Sequence, residues 1–213
     1  MIKLYSYFRS STSFRLRIAL NLKGLEHEHL PVDLPSAEHR TPEFLKINPQ
    51  GLVPALADGD TVVIQSMAMI EYLEEKYPEP PLLPEGSERR AYVRALSQVI
   101  GCEMHPLNNV RVLKYVTDTL GHDKDTMHKW YQHWIAEGFK GFESILHKYP
   151  FRGKFCNGDT VTMADICLVP QVFNAQRFHC RLDDYPTTMR IFDACMEIEA
   201  FQRAEPSRQP DAA

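Results

Sequence analysis

Four hydroxyl side chains in a row, Ser10-Ser11-Thr12-Ser13, stand immediately before Phe14, Ile18 and Leu22, an apolar set at helical spacing. They follow a short apolar opening, Met1-Ile2-Lys3-Leu4-Tyr5-Ser6-Tyr7, so the local expectation is strand, turn and helix, with serines at or near the N-cap. A helix N-terminus gathers unpaired N–H groups and the positive end of the helix dipole, and nearby hydroxyls add donors of their own. Such a place suits a bound sulfur anion, because hydrogen bonds hold a thiol in its thiolate form. An ordinary Ser-rich cap has the same appearance, and only the rest of the chain separates the two readings.

Two further stretches carry complementary groups. In Asn48-Pro49-Gln50-Gly51-Leu52-Val53-Pro54-Ala55-Leu56, a proline opens a strand where its missing N–H is not needed. A cis Val53-Pro54 bond would turn the Val53 backbone towards an incoming extended peptide. Farther on, a strand over Thr61 to Ile64 ends in Gln65-Ser66, and Met67 to Tyr77 carries Ile70, Leu73 and Tyr77 at helical spacing. Ser66 reads as an N-cap without a capping box, since Met69 occupies N3, which leaves first-turn amides for a ligand carboxylate.

The elements that must position these groups follow from the same sequence. Gly24 stops the first helix, and Leu25 to Leu34 reads as a second strand parallel to the first, a βαβ unit. Thr41 to Lys46 is a helical turn with Pro42 at N1. Pro78-Glu79-Pro80-Pro81-Leu82-Leu83-Pro84-Glu85-Gly86 is stiff and non-helical and marks the clearest boundary. Beyond it the chain reads all-helical. From Ser87 a helix carries Tyr92, Leu96, Val99 and Ile100 until His105-Pro106 interrupts it, and Leu107 to Thr119 resumes it. Trp130, Trp134, Gly138 and Phe142, flanked by Ile135, Phe139 and Leu146, form the core-facing stripe of a further long helix. Thr162 and Asp165 have capping-box spacing, with Val161 and Ile166 as a hydrophobic staple, and their helix runs through Pro170 to Arg177. A last helix covers about Thr187 to Ala204, before a polar tail.

Composition narrows the function classes. A chain of 213 residues with formal charge −4 and 44% hydrophobic residues is neither a basic nucleic-acid binder nor a disordered acidic chain. It has no apolar run long enough to span a bilayer and no leader-like N-terminus, so the expectation is a cytoplasmic protein with no membrane partner. Cys102, Cys156, Cys167, Cys180 and Cys195 are odd in number and widely spaced, which indicates neither a disulfide framework nor a zinc site. His27-Glu28-His29 reads as a solvated strand edge, since its two histidines lack a third ligand, so no metal is expected.

Taken together, the βαβ unit, the Val-Pro turn, the hairpin ending in Gln-Ser, the Pro-rich linker and the capped helical half resemble the cytosolic glutathione transferases. Ser10-Ser11-Thr12-Ser13-Phe14-Arg15-Leu16-Arg17-Ile18-Ala19-Leu20 with Asn48-Pro49-Gln50-Gly51 resembles more narrowly the zeta class, which includes maleylacetoacetate and maleylpyruvate isomerases. The resemblance implies an α/β thioredoxin-like domain over residues 1–80, a linker at 81–86, an all-α domain over 87–213, and a homodimer. It places Ser10, Ser11 and Thr12 around a glutathione sulfur, with Arg15 in the same motif. Gln50, Val53 and Pro54 would meet the tripeptide backbone, Gln65 and Ser66 its γ-glutamyl carboxylate, and His105 and Asn109 the tripeptide or the substrate. The family usually has Cys at the third place of the motif; Thr12 there argues against a cysteine nucleophile and leaves thiolate stabilisation.

The implied chemistry is cis–trans isomerisation of an unsaturated keto-diacid by reversible thiolate addition, which asks the protein chiefly to place charge. Two carboxylates need cations, and guanidinium forks match them best. Arg9, Arg111 and Arg177 are the candidates. Arg111 lies only two residues past Asn109, so His105, Asn109 and Arg111 need not share one helical face. His105 has the near-neutral pKa of a proton donor, and equally the place of a structural side chain beside a proline. Two other readings use the same sequence: a transferase that conjugates or dehalogenates small electrophiles, and a catalytically silent interaction module. The retained hydroxyls and Gln65-Ser66 speak against the silent module.

Overall fold

The computed structural model describes residues 1–212, in two compact units. The first comprises Met1–Leu82 together with the segment from Met196 onward; the second is Leu83–Cys195.

In the first unit, β1 (Ile2–Ser6), α1 (Ser11–Leu22) and β2 (His27–Pro31) form the expected βαβ unit, and β1 pairs with β2 in parallel, Leu4 opposite His29. After α2 (Pro42–Ile47), which Thr41 caps through the Phe44 amide, come β3 (Ala55–Asp58), β4 (Thr61–Ile64) and α3 (Ser66–Lys76). The sheet order is β2-β1-β3-β4, with β3 antiparallel to both neighbours. Ile2, Leu4 and Ser6 alternate inward along β1, as a half-buried strand requires.

Helix α1 is buried over far more of its circumference than the Phe14–Ile18–Leu22 spacing predicts. Phe14, Leu16, Ile18, Ala19 and Leu20 are all within the core, and so are Arg15 and Arg17. The cause is a second neighbour: α3 packs on α1, and so does a short helix from the far end of the chain. That helix belongs to a segment expected in the all-helical half. Its residues instead satisfy polar groups of α1, since Ala204 and Ala200 carbonyls accept from Arg17 Nε and Asn21 Nδ2, at 2.9 and 3.0 Å. At the C-terminal end of α1, Lys23 Nζ is wholly enclosed and donates to Glu74 and to the carbonyls of Tyr77 and Pro80. Glu74 accepts in turn from the Leu82 amide, so a buried ion pair is also fully hydrogen-bonded, the condition under which such a pair is tolerated.

The second unit holds α4 (Ser87–Gln98), α5 (Val110–Lys114), α6 (Lys124–Lys148), α7 (Met163–Arg177) and α8 (Pro186–Met196), whose final residue already belongs to the first unit; α9 (Glu199–Arg203) is the short helix against α1. The break at His105-Pro106 is present but more elaborate than a kink. Val99–Met104 is wound as a π-helix, Pro106–Asn108 as a 3₁₀ turn, and the α-helix resumes at Val110 with Asn109 as its cap, not at Leu107. Proline removes an N–H and widens the preceding turn, so the chain re-registers before it can continue. Along α6 the buried stripe is Tyr131, Ile135, Phe139, Phe142 and Leu146, one position on from the Trp130–Trp134 row. Both tryptophans are half-buried, and Trp130 Nε1 reaches the Leu107 carbonyl at 2.9 Å, as the amphipathic indole allows. The capping box forms: the buried Asp165 carboxylate accepts from Thr162 N, Thr162 Oγ1 and Cys156 N at 2.8 to 3.0 Å. The expected last helix is two pieces, α8 and α9, divided at Glu197-Ile198.

Candidate active site

The turn between β1 and α1 places Ser10 at the N-cap, where its Oγ accepts from the Ser13 amide at 3.2 Å. Ser10 Oγ lies 2.9 Å from Thr12 Oγ1, and Thr12 Oγ1 donates to the Val53 carbonyl at 3.1 Å. A hydroxyl carries one hydrogen. Since that of Thr12 goes to Val53, the hydrogen shared with Ser10 is the serine's. Ser11 is buried and opens the helix. The hydroxyl cluster is thus joined directly to the backbone edge at Val53.

Val53 owes its place to Asn48, a buried side chain that donates to the Leu52 carbonyl at 2.6 Å and accepts from the Gln50 amide at 3.0 Å. Gly51 between them sits at φ +60°, and a Cβ there would press on the His39 carbonyl, so this turn needs glycine. The Val53–Pro54 peptide is cis.

At the start of α3, Gln65 rather than Ser66 is the cap residue, at φ +70°. A non-glycine residue held at positive φ costs on the order of 1–3 kcal/mol and gathers at functional sites. The exposed Gln65 donates from Nε2 to Gln50 Oε1 at 2.7 Å. Ser66 Oγ does not cap the helix; it accepts from Arg15 Nη1 at 3.2 Å. Arg15 is only 1% exposed, so its guanidinium links the two helix N-termini from beneath. Neither α1 nor α3 has an acidic residue in its first turn, which leaves both dipole ends to anions from outside. Donors of this kind, next to an open backbone edge, fit a peptide that carries a thiol and a carboxylate.

Arg9 is exposed, its guanidinium 5.0 Å from the Phe8 ring centroid. Ser10, Ser11, Thr12, Arg15, Gln50, Val53, Pro54, Gln65, Ser66 and Arg9 therefore all lie in the first unit. His105, Asn109, Arg111 and Arg177 lie in the second. There, Asn109 Nδ2 is 3.5 Å from His105 Nε2, while its Oδ1 accepts from the Arg111 amide at 3.1 Å and so caps α5. Arg111 is exposed on the first turn of that helix. Arg177, exposed in the last turn of α7, lies over Phe178, which stacks on Tyr131 at 3.8 Å.

Two features had no sequence signal. The positive φ of Gln65 is invisible in a residue type that rarely adopts it. The second is His29, expected to be a solvated edge residue; its side chain is 12% exposed and its Nε2 meets Asp211 Oδ1 at 3.0 Å. Among the described residues no helix is long and apolar enough to cross a membrane, and no group of three or more His, Cys, Asp or Glu is placed to hold a metal ion.

The family model for the glutathione S-transferase N-terminal domain matches residues 1–75. Maleylpyruvate isomerase of Ralstonia sp is 50% identical over 212 residues, covering the full length of both chains. A solved holo structure of maleylpyruvate isomerase, described as a bacterial zeta-class glutathione S-transferase, superposes at TM-score 0.97 with 50% identity, over 99% of this chain and 100% of that one. Maleylacetoacetate isomerase of Methylobacterium extorquens AM1, crystallised with malonate and glutathione, superposes at TM-score 0.95 with 40% identity over 99% of each chain. With identity of this order sustained along both units, and the hydroxyl cluster, the Val53-Pro54 edge and the Gln65-Ser66 helix start all in place, the chain belongs to the zeta-class glutathione transferase family.

Proposed function

We propose that this chain is a glutathione-dependent cis–trans isomerase of an unsaturated keto-diacid, taking a maleyl compound of the maleylpyruvate or maleylacetoacetate kind to its fumaryl isomer. The observation that carries the reading is the bond from Thr12 Oγ1 to the Val53 carbonyl, which joins an anion-favouring helix start to a backbone edge open to a peptide. When bound, glutathione supplies the thiolate that adds to the double bond and leaves it again, freeing rotation about that bond.

The chain's own residues hold and orient. Ser10, Ser11 and Thr12 surround the sulfur: Ser10 and Thr12 give their hydrogens to Thr12 and to the Val53 carbonyl and so brace the cradle, while the N-terminus of α1 keeps negative charge on sulfur. Val53 pairs with the tripeptide backbone, Gln50 and Pro54 border that edge, and Gln65 and Ser66 take the terminal carboxylate. Arg15, enclosed beneath both helix starts, acts by fixing Ser66. Arg9, Arg111 and Arg177 take the carboxylates of the diacid, and His105 and Asn109 border tripeptide or substrate. A cytoplasmic homodimer completes the reading, and the mild formal charge of −4 supports the absence of a nucleic-acid partner.

The test is isomerisation of maleylpyruvate and of maleylacetoacetate, followed by absorbance with and without glutathione. Turnover should require the tripeptide. Replacing Ser10, Ser11 and Thr12 together by Ala should lower kcat by roughly 100- to 1,000-fold, the scale of lost oxyanion-type stabilisation, with the far-ultraviolet dichroism retained. Unchanged kcat at saturating glutathione would remove the hydroxyls from the chemistry. Conjugation of glutathione to an aryl halide without isomerisation would make the protein a general transferase instead.

A further inference from the structure

The turn that leads into the hydroxyl cluster is held from the other end of the chain. Residues Tyr7 to Ser10 form a tight turn, the Ser10 amide donating to the Tyr7 carbonyl at 2.9 Å. Within it, Phe8 is gripped on both sides. Its carbonyl accepts from Arg17 Nη2 at 3.0 Å, and its amide donates to Asp211 Oδ2 at 2.9 Å.

The other oxygen of Asp211 meets His29 Nε2 at 3.0 Å on β2, and the two side chains are 13% and 12% exposed. Arg17 is buried, bonded to Ala204 O, Ser6 Oγ and Phe8 O, and it lies within the electrostatic reach of Asp211. A single carboxylate near the end of the chain thus satisfies a backbone amide two residues before the N-cap, more than 200 positions away in sequence. Nothing local to the βαβ unit needs such a partner merely to form a strand–turn–helix; the amide of a surface turn is ordinarily left to water.

We propose that Asp211 is a positioning residue for the reaction: by holding the Phe8 amide it sets the backbone course through Arg9 and Ser10 into Ser11. The inference rests on the reading of Ser10 to Thr12 as the cradle of the glutathione sulfur. Its reasoning is geometric. Hydroxyl donors keep charge on sulfur only over a narrow range of distance and angle, and a displacement of about 1 Å in a positioning group costs up to about 100-fold in rate. With Asp211 removed, the Phe8 amide turns to water, and the turn leading to Arg9 and Ser10 gains freedom.

The experiment compares the full-length protein with Asp211→Ala and Asp211→Asn. Ionisation of bound glutathione is followed by thiolate absorbance across pH, alongside kcat and KM for glutathione and for the diacid and the thermal midpoint of each variant. Asp211→Ala should titrate the bound thiol at higher pH than wild type and lose about tenfold in kcat/KM. Asp211→Asn, which keeps an acceptor oxygen for the Phe8 amide but gives up the charge towards His29, should recover most of that loss. A purely structural role would lower the thermal midpoint and leave the thiol titration where it is in wild type. A wild-type titration with Asp211→Ala overturns the inference and leaves the cradle assignment standing. Failure of Asp211→Asn to recover anything overturns the Phe8 route. If the wild-type protein itself does not favour the bound thiolate, the cradle reading and this inference fall together.

Discussion

Thr12 and Val53 are 41 residues apart in sequence and 3.1 Å apart between Oγ1 and the carbonyl oxygen. Replacing Thr12 by Cys, the residue usual in the family at this place, exchanges a hydroxyl donor for a weak thiol donor. One ordinary hydrogen bond is worth about 1 kcal/mol, so kcat/KM for glutathione should fall roughly fivefold in a variant that remains folded. Steady-state rates with glutathione varied check this, and equal constants for the two proteins would detach Val53 from Thr12.

Arg111 and Arg177 are exposed guanidinium groups, placed at the first turn of α5 and the last turn of α7. Each, changed to Ala, should raise KM for the diacid by roughly tenfold or more while kcat with saturating substrate changes less, the signature of lost carboxylate binding. KM for glutathione serves as the internal control. A substrate dependence identical to wild type takes that arginine out of the site.

Stability should fall on acidification through Glu143. Burial raises its carboxyl, but hydrogen bonds from Thr188 and Thr187 prevail and hold it below the ordinary 4.5; the donors are the two amides at 2.8 and 2.9 Å and Thr188 Oγ1 at 2.6 Å. A carboxylate whose folded pKa is depressed adds stability above its unfolded pKa and loses it as pH drops through the folded value. Glu143→Gln should therefore cost about 1–3 kcal/mol at neutral pH, and the gap from wild type should close below pH 4.5. Denaturant unfolding across that range measures it; a gap independent of pH would mean that the charge contributes nothing.

Two glycines three positions apart in α6 should respond to alanine with opposite sign. At Gly141 a Cβ meets nothing within 4 Å, so Gly141→Ala gains up to about 1 kcal/mol from helix propensity. At Gly138 the methyl would overlap the side chain of Met104, which is fully buried and has no room to retreat. Overpacking costs about 1–3 kcal/mol, which exceeds the propensity gain. Thermal or denaturant midpoints of the two variants, moving in opposite directions, check the pair.

How much of this was legible beforehand depended on how far apart the interacting residues were. The Ser10 cap, the Thr41-Pro42 helix start and the Thr162–Asp165 box are contacts between near neighbours, and residue type with spacing is enough to read them. The cis Val53-Pro54 turn was legible from a proline opening a strand, and the parallel β1–β2 pair from the βαβ pattern. Periodicity failed where further packing surfaces intervened: α3 and α9 both pack on α1, so Arg15, bonded to Ser66 of α3, and Arg17, bonded to Ala204 beside α9, lie on faces that an amphipathic helix would give to water. On α6 the Ile135, Phe139, Phe142 and Leu146 part of the stripe is buried as read, while Trp130 and Trp134 sit half-buried because indole rings, though large, sit best at such an edge. The bonds of Asp211 and of Lys23 unite residues about 50 to 200 positions apart, and no local rule anticipates them.

The return of the segment from Met196 onward to the first unit has a temporal consequence. While a ribosome has released only the residues as far as the linker, Arg17 and Asn21 lack their carbonyl acceptors at Ala204 and Ala200, and the Phe8 amide lacks Asp211. The second unit must be synthesised before those partners emerge, so until then the nascent N-terminal half has Asn21 without that acceptor and the buried Arg17 held by Ser6 Oγ and the Phe8 carbonyl alone.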